Sequence, residues 1–126
     1  MNPMPATTER IDTGLYCAHW IGTMTVLDLY AARDGVEALA DADGVDRYVL
    51  MIDGTQLKQL PYEVKAYLGS ITKRMLGIVA LNAPYAGVVM GRIFNKLMPI
   101  QAQFFTNRER WLAEAAQIYA RHQQAN

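Results

Sequence analysis

Four polar or small residues that could support chemistry follow two apolar segments of this chain. They are Asp53, Gly54, Thr55 and Asn82. The first three follow the apolar run 48–52, and the fourth follows the apolar run 75–81. Because ligands of open α/β sheets bind beyond the carboxyl ends of the strands, we expect these residues to gather there as a ligand or partner loop.

Asp53 is the strongest candidate of the four for a chemical role. Its carboxylate could act as a base or bind a cation, but a single carboxylate without an identified partner is weak evidence for acid–base catalysis. The structural alternative is that Asp53 accepts hydrogen bonds from N–H groups of its own loop. Thr55 and Asn82 have similar alternatives, as a turn residue bonding the local backbone and as a helix cap.

Cys17 and His19 are two residues apart in an apolar segment, so they share one face of a predicted strand. Side chains in this arrangement point in parallel and do not converge on a hydrogen bond, so we expect a packed cysteine and a histidine satisfied in or beside the core. His122 is too distant in the sequence to complete a metal site, and no glycine-rich phosphate loop occurs. We therefore predict no metal, no cofactor and no catalytic residue.

The segment from Pro84 to Met98 is apolar around nearly the whole circumference of a predicted helix, whereas a helix on one side of a sheet buries a narrower stripe. Gly87 and Gly91 would let another backbone or a flat ligand approach. Three explanations stay open: tight packing on the sheet, a subunit interface, and an apolar ligand groove lined by methionines. The candidate residues for the interface or groove are Tyr85, Val89, Arg92, Phe94 and Met98.

The apolar segments that precede these candidates indicate the fold class. The runs 48–52 and 75–81 are apolar at successive positions, and a strand that is apolar on both faces must be covered by helices on both faces. The sequence therefore predicts an α/β fold with a mixed, mostly parallel sheet of about five strands. Its predicted core comprises Val49, Leu50, Met51, Ile52, Ile78, Val79 and Ala80.

The predicted element order is ββαβαβαβα, in a single domain at 9–121 between a flexible N-terminal tail at 1–8 and a C-terminal tail at 122–126. The first two strands form a hairpin, Thr25 and Asp28 form a capping box, and Asn107 caps the last helix. The predicted strands cover 9–12, 15–21, 47–53, 75–81 and 101–105, and the helices cover 25–42, about 62–74, 84–98 and 108–121.

The composition excludes several classes of protein. The 126 residues carry 12 basic and 12 acidic side chains, so a nucleic-acid-binding protein with a basic face is not expected. The single cysteine excludes a disulfide scaffold and fits a reducing compartment. No signal peptide and no transmembrane segment is predicted, which leads us to expect a cytoplasmic protein.

Four parts of the sequence resemble STAS-like domains, the group named for sulfate transporters and anti-sigma-factor antagonists, and in particular their small stand-alone bacterial members. The resemblance covers residues 11–112. It rests on the strand 15–21 leading through Gly22 to Thr25, on the strand 49–53 ending in Asp53, on Arg92-Ile93-Phe94, and on the closing segment 105–112.

The resemblance implies a partner-binding switch, because the sigma-regulating members are phosphorylated on a serine at the start of the second helix. The segment 56–63 contains no Asp-Ser-Ser-Gly-like sequence, and Leu60-Pro61 stands where that serine is expected. We therefore predict that the usual phosphorylatable serine is missing here. Thr55 is the nearest hydroxyl.

Three functions remain after these observations. The first is a non-catalytic regulatory or protein-interaction module, acting through a protein partner or through self-association as a homodimer. The second is a binder or sensor of an apolar small molecule or lipid, because related STAS-like folds include lipid-binding members and the 84–98 helix is unusually apolar. An enzyme ranks last.

Overall fold

The computed structural model describes residues 6–60 and 70–125, in which five strands form one mixed sheet. The strands, in chain order and in sheet order, are β1 (Ala6–Asp12), β2 (Leu15–Thr23), β3 (Tyr48–Gln59), β4 (Met75–Leu81) and β5 (Ala102–Phe105). β1 is antiparallel to β2, and every other neighbouring pair is parallel. The predicted α/β fold with a mostly parallel sheet is confirmed.

Three helices are described, and they cover both faces of the sheet. They are α1 (Val26–Asp43), α2 (Tyr85–Leu97) and α3 (Arg108–Ala125). α1 packs on β1 and β2, and α2 packs on β5. Both share one apolar cluster with the sheet, whereas α3 packs on the opposite face through Trp111 and Ala115. We call the two sides the α1/α2 face and the α3 face.

The strand residues alternate between these two faces, which explains why the runs are apolar at successive positions. In β3, Leu50 and Ile52 join the cluster under α1 and α2, while Val49 and Met51 join the cluster under α3. β4 alternates in the same way. All seven residues of the predicted core are buried, so that prediction is confirmed.

Local signals set the helix ends as expected. The Thr25 side chain accepts a hydrogen bond from the amide of Asp28, whose carboxylate accepts one from the Thr25 amide, and this is the predicted capping box. Gly44 ends α1 in the left-handed conformation with φ of 69°, which favours glycine. The Asn107 side chain accepts from the amide of Arg110 at 3.0 Å and caps α3.

Several element boundaries differ from prediction. β1 begins at Ala6, because the hairpin pairing continues to Ala6 opposite Trp20. α3 runs on to Ala125. The predicted helix from about Tyr62 lies mostly in 61–69, outside the described residues. Its predicted end at Lys73 and Arg74 is wrong, since 70–74 is turn and irregular backbone.

Arg74 has a structural role in this turn. Its guanidinium donates to the backbone carbonyls of Asp46 and Val45 at 2.9 and 2.8 Å, and it forms an ion pair with Asp41 at 2.9 Å. It also lies over the ring of Tyr48, 5.8 Å from the ring centre. Arg74 therefore ties the start of β4 to the end of α1 and the start of β3.

The largest correction concerns β3, which was expected to end at Asp53. It continues to Gln59, because its pairing with β2 resumes after a bulge. His19 pairs with Asp53 and Ile21 pairs with Gln56, so Trp20 on β2 lies opposite both Gly54 and Thr55 on β3. Gly54 and Thr55, expected in a loop, are therefore the bulge residues of a strand.

Candidate functional site

The candidate site lies on the α3 face, in the middle of β3 and level with the carboxyl ends of β4 and β5. Asp53 on β3 is its centre and is only 9% exposed. One oxygen of its carboxylate accepts a hydrogen bond from the Thr55 hydroxyl at 2.6 Å and another from the Thr55 amide at 3.0 Å. The bulge makes both contacts available, because the extra residue turns Thr55 back towards Asp53.

Asn82 completes the set of residues predicted from the sequence. Its side-chain amide donates to the Thr55 hydroxyl at 3.0 Å, and its backbone N–H donates to the Phe105 carbonyl at 2.8 Å. Its φ of 55° is left-handed, a conformation that asparagine tolerates better than most residues. A Cβ on Gly54 would lie 3.3 Å from the Asn82 carbonyl oxygen, so the backbones of β3 and the β4 end approach closely here.

Asp53, Gly54, Thr55 and Asn82 therefore lie together, linked by hydrogen bonds and backbone contact. Three further residues join them that were not predicted as part of this site. They are Glu9, His19 and Arg108.

His19 bridges two carboxylates. Its Nδ1 lies 3.2 Å from the second oxygen of Asp53, and its Nε2 lies 2.7 Å from Oε1 of Glu9 on β1. A neutral imidazole has one N–H, whereas a protonated ring has two donors. In either form the ring lies between Glu9 on β1 and Asp53 on β3, and it connects these two strands through β2.

Arg108 brings a cation from the start of α3. Its guanidinium lies 3.6 Å from the same Asp53 oxygen that faces His19, and it lies over the Trp111 ring, 5.4 Å from the ring centre. Trp111 is fixed in turn by an indole N–H bond to the Val79 carbonyl at 3.0 Å. This contact anchors α3 on β4 and sets the position of Arg108 beside the cluster.

The environment acts on Asp53 in opposing ways. Burial by itself would raise the pKa of Asp53, but the two hydrogen bonds from Thr55 and the facing His19 outweigh it, and the pKa is lowered. Asp53 is therefore held as a carboxylate, with its first oxygen bonded to Thr55 and its second facing the His19 ring and the Arg108 guanidinium.

The thiol of Cys17, next to this cluster, is unreactive. Cys17 is fully buried, and burial raises its pKa to about 12, with the charges of Asp53 and Glu9 adding to the effect. A thiol in this state is a poor nucleophile. The expected packed cysteine and satisfied histidine are both observed.

The cluster opens onto a polar cleft of about 390 Å³. The described residues that line it are Thr7, His19, Trp20, Ile21, Asp53, Thr55, Gln56 and Arg108. In the described part of the chain, the His, Cys, Asp and Glu side chains form no group of three that could hold a metal ion.

The second candidate surface is α2, and its predicted residues divide between core and solvent. Phe94 is 5% exposed and belongs to the core, with Met98 packed against it. Tyr85 is 82% exposed, Arg92 is exposed and Val89 is half-buried. Tyr85 and Phe94 are nine residues apart, about two and a half turns, so they lie on opposite sides of the helix.

Leu97, which was not among the predicted residues, is 58% exposed, and Ile93 is partly exposed. The spacing 85, 89, 93 and 97 is four residues throughout, which places these side chains along one side of α2. We call these four residues the α2 stripe.

Beneath α2 lies an apolar cavity of about 90 Å³, lined in part by Ile52, Ile71 and Phe104. The two helix glycines were expected to admit a partner backbone or a flat ligand. At Gly91 that space is filled by the ring of Phe104, which an added Cβ would overlap. At Gly87 an added Cβ would lie 3.5 Å from Leu60, an ordinary contact distance.

No family model matches the chain, and no curated protein matches it. Solved structures do share its fold. One is an uncharacterized protein of the DUF3478 family from Shewanella loihica PV-4, described as having a SpoIIAA-like fold. It is 18% identical, with a TM-score of 0.63, and the match covers 87% of this chain and 91% of that chain. The anti-sigma factor antagonist SpoIIAA in its unphosphorylated form is 10% identical, with a TM-score of 0.57. The match covers 89% of this chain and 97% of that chain.

The chain therefore has the SpoIIAA-like fold, which confirms the STAS-like resemblance read from the sequence. At these identities the similarity establishes the fold alone. Among the described residues, no helix is both long and apolar enough to cross a membrane.

Proposed function

We propose that this chain is a non-catalytic, regulatory protein-interaction module and that the α2 stripe is its partner surface. The observation that carries the proposal is the exposure of Tyr85 and Leu97, at 82% and 58%, at the two ends of one apolar stripe. Contiguous apolar side chains left in solvent are a mark of interaction sites. The cytoplasmic location expected from the sequence is part of this proposal.

The charges beside the stripe define the chemistry of the partner. Arg92 and Lys96 are exposed next to it, and the sequence of α2 contains no acidic residue. A partner that complements this helix presents apolar side chains flanked by carboxylates.

The fold supports a protein partner, because one of the similar structures is an anti-sigma factor antagonist, which is named for its action on another protein. We propose that the interaction works without a phosphorylated serine near Leu60. Leu60 itself is buried, and Pro61 and Tyr62 lie outside the described residues.

We assign the cluster around Asp53 a supporting role in this module. Both carboxylate oxygens of Asp53 contact groups of the chain itself, from Thr55 on one side and from His19 and Arg108 on the other. These contacts join β2, β3 and the start of α3 at one edge of the sheet. The cluster thus stabilises the scaffold that carries α2.

The alternative function is a binder of an apolar small molecule, and the cavity under α2 favours it. The cavity volume of about 90 Å³ is smaller than the roughly 150 Å³ of an engineered apolar cavity that binds benzene. A lipid would therefore require this cavity to widen. The exposed stripe needs no such change, and for this reason the protein partner is the better supported function.

Site-specific photocrosslinking in the cells that produce the protein tests the proposal. A photoreactive amino acid replaces Tyr85 or Leu97 in separate variants, and the crosslinked products are identified by mass spectrometry. We expect both variants to crosslink to a polypeptide, either another protein or a second copy of this chain. The control position is Gln117, which is exposed on α3 on the opposite side of the sheet.

Crosslinks to a polypeptide from positions 85 and 97 that are missing at position 117 support the proposal. Crosslinks only to lipid or small molecules support the alternative function. Equal products at all three positions, or none at 85 and 97, contradict the proposed partner surface.

A further inference from the structure

We infer that the α2 stripe binds the outer side of α1 in a second copy of this chain, in a two-fold symmetric dimer that contains this contact twice. The inference rests on the proposed function, since it names the partner of the same stripe. Three features of α1 and α2 support it: their charges, the spacing of their exposed residues, and their positions on the sheet.

The outer side of α1 has the chemistry that the α2 stripe requires. Leu27 is 77% exposed, and Asp34 and Asp41 are exposed as well. These three residues are seven apart, so they lie along one side of the helix. Arg33 is the single cation in the sequence of α1, which carries the carboxylates Asp28, Asp34, Glu37, Asp41 and Asp43.

The two helices match in spacing as well as in charge. On α1 the exposed Leu27 is followed seven residues later by Asp34. On α2 the exposed Tyr85 is followed, also seven residues later, by Arg92. If the helices lie parallel with Leu27 beside Tyr85, Asp34 comes to the level of Arg92. Lys96 then lies between the levels of Asp34 and Asp41, where a cation is attracted by both.

The fold places the helices so that one symmetry axis produces this pairing. α1 packs on β1 and β2 and α2 packs on β5, so they lie near opposite edges of the same face. A two-fold axis above that face and parallel to the strands turns the second copy over and exchanges its edges. The α1 of each copy then faces the α2 of the other, and the interface closes on itself.

The same axis gives the helices a parallel orientation. α1 connects β2 to its parallel neighbour β3, and α2 connects β4 to its parallel neighbour β5. Both helices therefore run back against the direction of the strands, and an axis parallel to the strands keeps that direction. The amino-terminal ends, with Leu27 and Tyr85, meet each other.

The ion pairs that these carboxylates make within the chain do not oppose the contact. Asp34 pairs with the adjacent Arg33 at 3.0 Å, and Asp41 pairs with Arg74 at 2.9 Å. In both pairs the carboxylate is the exposed partner, and the arginine is the more buried one. Such carboxylates can take a further cation across an interface at little cost.

Sedimentation velocity of the purified full chain, from low micromolar to near-millimolar concentration, tests the inference. We expect wild type to form a dimer, and Asp34→Lys and Arg92→Glu each to weaken it about ten-fold or more, because both place like charges together twice in the interface. Arg110→Glu on α3, at an exposed position, is the matched control and leaves dimerisation unchanged. Circular dichroism verifies that every variant is folded.

Mixing the two weakened variants makes the test specific. In a mixed dimer, one contact joins the two substituted positions, with opposite charges, and the other joins the native Asp34 and Arg92. An equimolar mixture of Asp34→Lys and Arg92→Glu is therefore expected to regain a dimer that neither variant forms alone. Contacts between two α1 helices or between two α2 helices predict no such pattern, so failure of the mixture to recover overturns the inference.

A wild type that stays monomeric throughout the concentration range also overturns the inference. The proposed function is judged separately, because crosslinks from positions 85 and 97 to a different protein would support it even then. Crosslinks to no polypeptide would contradict both.

Discussion

The ring of His19 faces the carboxylate of Asp53 across the β2–β3 pair, with Nδ1 3.2 Å from Oδ2. The second ring nitrogen of His19 reaches Glu9 on the edge strand at 2.7 Å. One histidine thus connects three neighbouring strands at the edge of the sheet where the bulge lies.

The first prediction is that Asp53→Asn destabilises the protein by about 1.5 to 3 kcal/mol, the range for hydrogen bonds to charged groups. The neutral amide cannot attract His19 and Arg108, and one of its ends no longer accepts hydrogen bonds. Urea unfolding measures the change. The control is Asp46→Asn, at an exposed position, which is expected to change stability by less than about 0.5 kcal/mol. Equal effects at the two positions would contradict the role of Asp53.

The second prediction concerns pH and follows from the lowered pKa of Asp53. A carboxylate with a lowered folded-state pKa contributes its full stability above the unfolded value, about 3.9, and loses it as pH falls through the folded value. The stability difference between wild type and Asp53→Asn should therefore shrink as pH falls below about 4. The pKa of Asp43 is also lowered, but Asp43 is present in both proteins and cancels. A difference that stays constant into strong acid would show that the charge of Asp53 contributes nothing.

The sequence was sufficient for the parts of the fold that depend on short-range pattern. The apolar runs 48–52 and 75–81 identified the central strands, and the capping box at Thr25 and Asp28 located the start of α1. The proximity of Asp53 to Asn82 was also predictable, because parallel strands bring their carboxyl ends to the same edge.

The partners of His19 depend on strand register, which the sequence pattern does not fix. Glu9 reaches His19 because β1 pairs with β2 in one particular register, and Thr55 reaches Asp53 because a bulge follows. Gly54 and Thr55 were interpreted as a loop, since glycine beside a hydroxyl residue is typical of turns. In the structure the same two residues form the bulge.

The sequence showed that α2 is apolar around most of its circumference, but it did not show which side of the helix faces the sheet. Tyr85 and Phe94 are both aromatic, and only the packing against the sheet places Phe94 inside and Tyr85 outside. A search for residues four apart along the helix would have added Leu97 to the candidates.

The third prediction separates the two glycines of α2. Gly87→Ala is expected to stabilise the protein by about 0.5 to 1 kcal/mol through helix propensity, because the added Cβ makes an ordinary contact with Leu60. Gly91→Ala is expected to destabilise it by about 1 to 3 kcal/mol, because the added Cβ overlaps the Phe104 ring. Thermal unfolding of the pair measures the effects, and a gain at both positions would mean that the ring moves aside freely.

The fourth prediction is that Ile52→Ala costs about 2 to 5 kcal/mol. Ile52 is buried at the centre of the sheet on the α1/α2 face. Ile93→Ala removes the same atoms at a partly exposed position and is expected to cost less than about 1 kcal/mol. A loss below about 0.5 kcal/mol for Ile52→Ala would contradict a central position for β3.

The last prediction is that no phosphorylation switch operates at Thr55. Its hydroxyl donates to Asp53 at 2.6 Å and accepts from Asn82 at 3.0 Å, so a phosphate would remove the first bond and place roughly two negative charges beside a carboxylate. Incubation with a serine kinase that acts on STAS-like regulators should leave the mass unchanged. Thr55→Glu should lower stability through the same repulsion, while Thr55→Ser, which keeps the hydroxyl, should retain it. Stoichiometric phosphate on Thr55 in a protein that stays fully stable would show that Arg108 and His19 compensate the added negative charge. That result would make this bulge a regulated site.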